Sequence, residues 1–154
     1  MNRVIQFYRA IFSRIDSDDL EFIKKYLDRD CELDLFFAQH PADQKHAVNV
    51  ARMLGDDRFL IRCGLLHDVG RVKGDLDIFG KVFCVLAEKF PWLILTRSLE
   101  KKFYIYKHHA EIGAEKLRSI GLNREAEIIS KHHSPETKKD PPELIKLRRA
   151  DSLN

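Results

Sequence analysis

The feature that constrains this chain most is a histidine and an aspartate side by side, His67 and Asp68, at the end of an apolar segment. The segment is predicted to be helical, because its two arginines recur four residues apart, opposite its apolar residues. This phase turns His67 and Asp68 toward the core, and Gly70 is expected to end the helix or to let the backbone turn sharply. A buried pair of this kind needs a partner, which either a divalent metal or a hydrogen bond between the two side chains could supply.

Length and composition indicate an ordinary globular protein. A chain of 154 residues suits one domain that buries a substantial core without a disulfide or a structural metal. Cys31, Cys63 and Cys84 stand singly among apolar residues, as reduced core thiols of a cytoplasmic protein do. The net charge of +3 is too small to indicate a nucleic-acid partner, but it is compatible with small anionic substrates. Charged residues interrupt the apolar region 82–106 too often for a transmembrane segment.

No stretch shows the alternation of a strand, so the predicted fold is all-α, a single compact helical bundle. Residues 1–38 are expected to form N-terminal packing helices, and residues 40–154 the core that holds the site. Within that core, helices are predicted over about 103–120, after a cap at Asn123, and after a capping box at Asp140–Glu143.

Several of the predicted helices bring a histidine or an aspartate to the apolar side. Helical phase places His109 at the apolar border and His108 among charged residues. His132 and His133 end the next helix, and periodicity does not choose between them. Asp151 shares a face with two leucines of the last helix, an unusual position for a carboxylate. The complete set is His46, His67, Asp68, His109, His132 or His133, and Asp151.

This set points to a metal site. Imidazole and carboxylate ligands together suit borderline divalent metals such as iron, manganese, cobalt, nickel or zinc, and the set lacks the thiolates of a structural zinc site. The number of candidate ligands exceeds what one ion normally takes from a protein. We therefore expect two ions that share Asp68.

The ordered set resembles the HD superfamily of metal-dependent phosphohydrolases, all-helical domains named for the adjacent His-Asp pair. The HDVG run at His67 and the HAEIG run at His109 are similar to the HDIG and H-x-x-x-G segments of that family. By this resemblance, the basic metal site consists of His46, His67, Asp68 and Asp151. The additional ligands of two-metal members match His109 and His132, and His133 matches a histidine that contributes in some of them.

The resemblance also implies an activity, the hydrolysis of a small phosphorylated substrate such as a nucleotide. Asp68 would bridge two cations that activate water for attack on phosphorus. Arg71 stands where the family commonly has a lysine, and it would neutralise charge on the phosphoryl group, with Lys73 or Lys131 as weaker candidates for the same role. A solvated surface charge is an equal alternative for Arg71 and the favoured one for the two lysines.

Two other functions fit the sequence less well. One is a non-catalytic HD module that binds a nucleotide or a protein partner in signalling, and the other is a helical adaptor with coincidental histidines. The subfamily that hydrolyses cyclic di-GMP continues after its paired histidines with Gly-Tyr-Pro, where this chain has Ser134-Pro135-Glu136-Thr137. The expected substrate is therefore a smaller phosphomonoester or anhydride.

Overall fold

The computed structural model describes residues 14–74, 78–94 and 96–154, and these contain helices but no strand. The α-helices are α1 (Ser17–Tyr26), α2 (Asp30–Phe37), α3 (Pro41–Arg52), α4 (Arg58–Leu66), α5 (Ile78–Lys89), α6 (Arg97–Ser119), α7 (Asn123–Ile129) and α8 (Pro142–Leu153). A short 3₁₀ helix, Pro91–Leu93, lies between α5 and α6. The prediction of an all-α fold is confirmed. The part of the predicted N-terminal helices before residue 14 lies outside the described residues.

Side-chain caps explain where two of the helices begin. Asp16 and Asp19 form a capping box at the start of α1, in which the amide of Asp19 donates to Asp16 Oδ1 over 2.9 Å. At α4, Asp57 Oδ1 accepts from the amide of Phe59, also over 2.9 Å. Each cap pairs an amide that the first turn of a helix would leave without a partner.

Two predicted caps and one predicted helix start are wrong. Asp140 does not cap α8, because Pro141 is the N-cap residue and Asp140 accepts hydrogen bonds from Thr137 and Arg148 instead. Asn123 is the first residue of α7 rather than its cap. The helix expected from about residue 103 begins at Arg97, because the hydroxyl of Thr96 caps it.

The main hydrophobic core is enclosed by α1 to α4, the second half of α6, and α7 and α8. Its largest fully buried side chains include Phe36, Leu65, Leu117, Ile129 and Leu147. A second, smaller cluster around Cys84 and Ile105 joins α5 to the first half of α6. Among the described helices, none is long and apolar enough to cross a membrane.

The backbone of the turn after α4 packs directly against α6. A Cβ atom added to Gly70 would lie 1.9 Å from the carbonyl oxygen of His109, and one added to Gly113 would lie 3.1 Å from the amide nitrogen of Gly70. Helix α4 already ends at Leu66, and Gly70 is not one of the glycines with positive φ. Gly70 is thus required by the close approach of two backbones and not, as predicted, by a helix end or a special φ. Its contact fixes the position of His109 relative to Asp68.

Candidate metal centre

Three buried histidines direct their Nε2 atoms at one carboxylate, that of Asp68. The Nε2 atom of His67 lies 3.4 Å from Asp68 Oδ2, while those of His109 and His132 lie 3.3 Å and 3.9 Å from Oδ1. His67 follows α4, His109 lies within α6, and His132 follows α7. None of the four residues is more than 5% exposed. Three separate parts of the chain thus meet at a single buried point.

Three further predicted residues surround this point. His46 Nε2 donates a hydrogen bond to Asp151 Oδ1 over 2.9 Å, and the same oxygen lies 3.6 Å from His67 Nε2. The ring centroid of His133 lies 4.0 Å from that of His132. The side chains of His46 and Asp151 are 28% and 20% exposed, and His133 is exposed. These three residues are where solvent reaches the group. The His/Asp cluster is the set His46, His67, Asp68, His109, His132, His133 and Asp151.

Hydrogen bonds to the backbone fix the tautomer of the three buried imidazoles. The Nδ1 atoms of His67 and His109 donate to the carbonyl oxygens of Gly64 and Tyr106, both over 2.8 Å. His132 Nδ1 donates to the carbonyl oxygen of Ile129 over 2.6 Å. A carbonyl oxygen can only accept, so Nδ1 carries the hydrogen in each ring and the Nε2 lone pair faces Asp68. Metal-binding histidines are commonly oriented in this way.

Burial keeps four imidazoles of the cluster neutral, those of His46, His109, His132 and His133. It lowers the pKa of His109 to about 4, with a further contribution from the charge of Arg71, and it lowers the pKa of His133 to about 4, with a further contribution from His109. Burial also lowers the pKa of His132 well below its ordinary value, and that of His46 despite its hydrogen bond to Asp151. At neutral pH these rings are therefore in the form that binds metal.

The Asp151 carboxylate stays ionised. Burial alone would raise the pKa of Asp151, but the hydrogen bond from His46, together with the neighbouring His67 ring, outweighs burial and lowers this pKa below its ordinary value. The cluster thus presents a charged carboxylate beside neutral rings, which is the protonation state that ligands of a divalent cation need.

The donor atoms of the cluster fit a divalent cation. The Nε2 atoms of His67, His109 and His132 and the Oδ1 atom of Asp68 are buried without a hydrogen-bond partner, while Asp68 Oδ2 contacts the Arg71 guanidinium. Each such atom costs roughly 1–3 kcal/mol if nothing satisfies it, and lone pairs facing a carboxylate add repulsion. Groups of ligand atoms within 4.8 Å of one another are His46, His67 and Asp68; Asp68, His109, His132 and His133; and His67, His132 and Asp151. The first two groups share Asp68, so the arrangement can accommodate one cation or two.

Two of the basic residues proposed from the sequence, Arg71 and Lys73, differ in their positions. The guanidinium of Arg71 contacts Asp68 Oδ2 with its side chain only 15% exposed, and burial lowers the pKa of Arg71, although Asp43 and Asp151 act in the opposite direction. Arg71 is therefore not a solvated surface charge. Lys73 is exposed, and its amide donates to the carbonyl oxygen of Ala38 over 2.8 Å.

All seven predicted ligands come together in the structure. The structure also agrees with the different orientations predicted for His109 and His108. His109 is buried, whereas His108 is exposed with its ring centroid 4.4 Å from that of Tyr104. His132 and His133, which periodicity did not separate, both border the same point. Their role as metal ligands stays a prediction.

Two residues that support the cluster were not predicted from the sequence. Lys116 Nζ donates to the carbonyl oxygen of Val69 over 2.9 Å and so holds the turn after Asp68 against α6. Arg148 donates to the carbonyl oxygens of His132 and Lys131 over 3.2 Å and 2.7 Å. Lys116 lies seven residues after His109, which is two turns of the helix. This spacing could have placed Lys116 on the same face as His109 from the sequence.

We expect His109→Ala to change metal content where His108→Ala does not, because only the His109 ring faces Asp68. Elemental analysis of both purified variants tests this, and the His109 variant should lose a substantial share of the bound metal. His108 is the matched control, since it is the same residue type on the same helix. If the His108 variant were the one that lost metal, the cluster would not be the metal site.

Comparison with known proteins gives one family. The model of the HD domain matches residues 44–154, a range that contains every residue of the His/Asp cluster. Neither the curated proteins nor the solved structures compared with the chain gave a match.

Proposed function

The chain belongs to the HD domain family, and on that premise we propose that it is a metal-dependent phosphohydrolase with two cations that share Asp68. Its substrate in this proposal is a small phosphate ester or anhydride, such as a nucleotide. The observation that carries the proposal is the convergence of three buried Nε2 atoms, with their Nδ1 atoms already hydrogen-bonded, on the Asp68 carboxylate, whose Oδ1 atom accepts no hydrogen bond.

The two overlapping groups of ligand atoms support the division into two ions. His46, His67, Asp68 and Asp151 would hold one cation, and Asp68, His109, His132 and His133 the other. When bound, the cations would polarise phosphoryl oxygens and activate a water molecule for attack at phosphorus. The remaining catalytic requirement, which is to bind and orient an anionic substrate, falls to the side chains around them.

Arg71 is the residue best suited to contact the phosphoryl group. Its guanidinium already contacts Asp68, and it is largely shielded from water, so its charge acts at close range and is weakly screened. A planar fork of N–H donors can bind two phosphate oxygens at once. Lys73 and Lys131 are exposed and would act at most on the distant part of a substrate.

The turn after His133 supports a compact substrate. Arg148 ties this turn to α8, because it donates to Asp140 in the turn and to the carbonyl oxygens of Lys131 and His132 just before it. Within the turn, the hydroxyl of Thr137 donates to Asp140 over 2.7 Å. A turn closed on itself in this way supports a substrate smaller than a cyclic dinucleotide. Phosphomonoesters or anhydrides, with an accessible phosphoryl group, fit the proposal better.

We expect the metal-loaded protein to hydrolyse nucleoside monophosphates or other phosphomonoesters with a higher kcat/KM than cyclic di-GMP, with Mn²⁺ or Fe²⁺ supporting turnover. The test is a substrate panel at matched metal loading, with the metal-free protein as the control. A clear preference for the cyclic dinucleotide would contradict the substrate class. Bound metal without turnover of any phosphate compound would favour the non-catalytic module instead.

A further inference from the structure

The outer face of α5 and the 3₁₀ helix after it expose large apolar side chains. Val85 and Leu86 are 49% and 46% exposed on α5, while Phe90 and Trp92 are 41% and 69% exposed immediately after it. The rings of Phe90 and Trp92 lie against each other with centroids 5.0 Å apart. Side chains of this size are normally buried, so a local group of four marks a surface that another body covers.

The side of α5 that faces the protein is already satisfied. Cys84 and Ala87 are fully or almost fully buried, and Cys84 belongs to the small cluster that α5 forms with α6. Cys84 and Ala87 are three residues apart and therefore share one face of the helix. Val85 and Leu86 stand between them in the sequence and project from the opposite side. Lys89 lies one turn beyond both and is exposed. Glu88, beside Lys89, is exposed as well. The outward surface of α5 therefore combines apolar side chains with one residue of each charge, and the net charge of its surroundings depends on the rest of the segment.

The positive charge of the chain is concentrated in this region. Residues 78–107 contain six lysines and arginines but only two glutamates. The net charge of this segment, six minus two or +4, exceeds the net +3 of the whole chain. The rest of the chain is close to neutral as a consequence. Lys89, Arg97 and Lys101 are exposed. An apolar surface within a segment of net positive charge is complementary to a partner that is itself both apolar and anionic.

We propose that Val85, Leu86, Phe90 and Trp92, together with Lys89, form a docking surface for an anionic lipid bilayer. In this arrangement α5 lies in the plane of the interface, the four apolar side chains enter the boundary of the acyl chains, and the lysine remains among the phosphate groups. Trp92 suits this position because its indole is apolar apart from one N–H donor. The described helices are too polar or too short to cross the bilayer, so the association is peripheral.

The charge pattern favours a lipid surface over a second copy of this chain. Two copies that met through this face would bring together two segments that each carry a net positive charge, which disfavours association. An anionic bilayer offers the opposite sign over an extended area and accepts apolar side chains of any shape. The surface contains no residue of the His/Asp cluster, so membrane docking can be tested independently of the proposed hydrolysis.

The chain has a single tryptophan, and it lies in the proposed surface. Fluorescence of the full-length protein with vesicles of phosphatidylserine and phosphatidylcholine therefore reports docking directly. We expect the Trp92 emission to move to shorter wavelength with these anionic vesicles, to remain unchanged with pure phosphatidylcholine, and to return on addition of 1 M salt, since screening at about that concentration limits charge interactions to roughly 3 Å.

Two variants test the two halves of the surface. Lys89→Glu should weaken binding to anionic vesicles roughly thirty-fold, since each unit charge near such a surface contributes a factor of about five. The double variant Val85→Ser with Leu86→Ser should weaken it by about tenfold or more. Ile145→Ser is the matched control, because Ile145 is 42% exposed on α8 and should leave binding unchanged.

The possible results separate this proposal from its alternatives. Vesicle co-sedimentation measures the same binding for all variants, with circular dichroism confirming their helical content. Equal binding to neutral vesicles, or equal loss in the Ile145 variant, would overturn the proposal. A blue shift that grows with protein concentration in the absence of vesicles would instead identify a second copy as the occupant.

Discussion

Asp68→Ala should lose its bound cations and its phosphohydrolase activity together, with kcat/KM reduced by at least about 10³-fold. Asp68 is the carboxylate nearest to three Nε2 atoms, at 3.3 to 3.9 Å, and both proposed ligand groups contain it. Removing it would leave neither group with an anionic bridge. The Arg71 guanidinium would also lose its carboxylate partner, and its unpaired positive charge would repel cations from the site.

Elemental analysis of the purified variant, beside kinetics on the best phosphomonoester, measures both losses. Asp34→Ala is a suitable control because Asp34 is an exposed aspartate on α2 and belongs to none of the groups of ligand atoms. The conservative variant Asp68→Asn distinguishes charge from shape, since it keeps the volume and should still lose metal. A soluble, folded Asp68→Ala protein with full metal content would remove Asp68 from the proposed site.

Gly70→Ala should destabilise the fold by about 3 kcal/mol or more, which is the upper range for overpacking. The added methyl group would lie 1.9 Å from the carbonyl oxygen of His109 and 2.9 Å from the amide nitrogen of Gly113. Both are backbone atoms of α6, so no side chain can rotate to make room. The turn after Asp68 would have to move away from α6, and His109 would separate from the other ligands.

Urea denaturation compares the free energy of unfolding of this variant with that of the unchanged protein. Gly55→Ala is the matched control, because a Cβ at Gly55 meets no atom within 4 Å although its φ is +78°. That change should cost only about 1 kcal/mol through backbone strain. If Gly70→Ala and Gly55→Ala were equally mild, the close packing of the turn on α6 would not constrain the site.

Much of the fold and of the cluster follows from short-range patterns in the sequence. The choice of His109 over His108 needed only the phase of one helix, and the buried position of His67 needed only the apolar face that precedes it. Helical periodicity is local, so it survives in the sequence without knowledge of the tertiary structure.

The interactions that join distant segments could not be predicted in the same way. Gly70 is confined by the backbone of His109, 39 positions along the chain, and the residue itself gives no sign of that neighbour. The hydrogen bonds of Lys116 and Arg148 go to main-chain carbonyl oxygens, which every residue possesses, so no pairing of residue types reveals them. The predicted cap at Asp140 was wrong for a related reason, because Arg148 and Thr137 occupy that carboxylate.

The hydrogen bonds from His67 and His132 to the carbonyl oxygens of Gly64 and Ile129 also bear on how the proposed site would fill. These carbonyls lie in the last turns of α4 and α7, where the aligned peptide dipoles concentrate partial negative charge. Each ring thus connects the C-terminal end of a helix to Asp68, with its Nε2 atom within 3.9 Å of a carboxylate oxygen. Partial negative charge behind a ring makes its Nε2 atom a better ligand for a cation, so we expect the free protein to bind metal in the absence of any phosphorylated ligand.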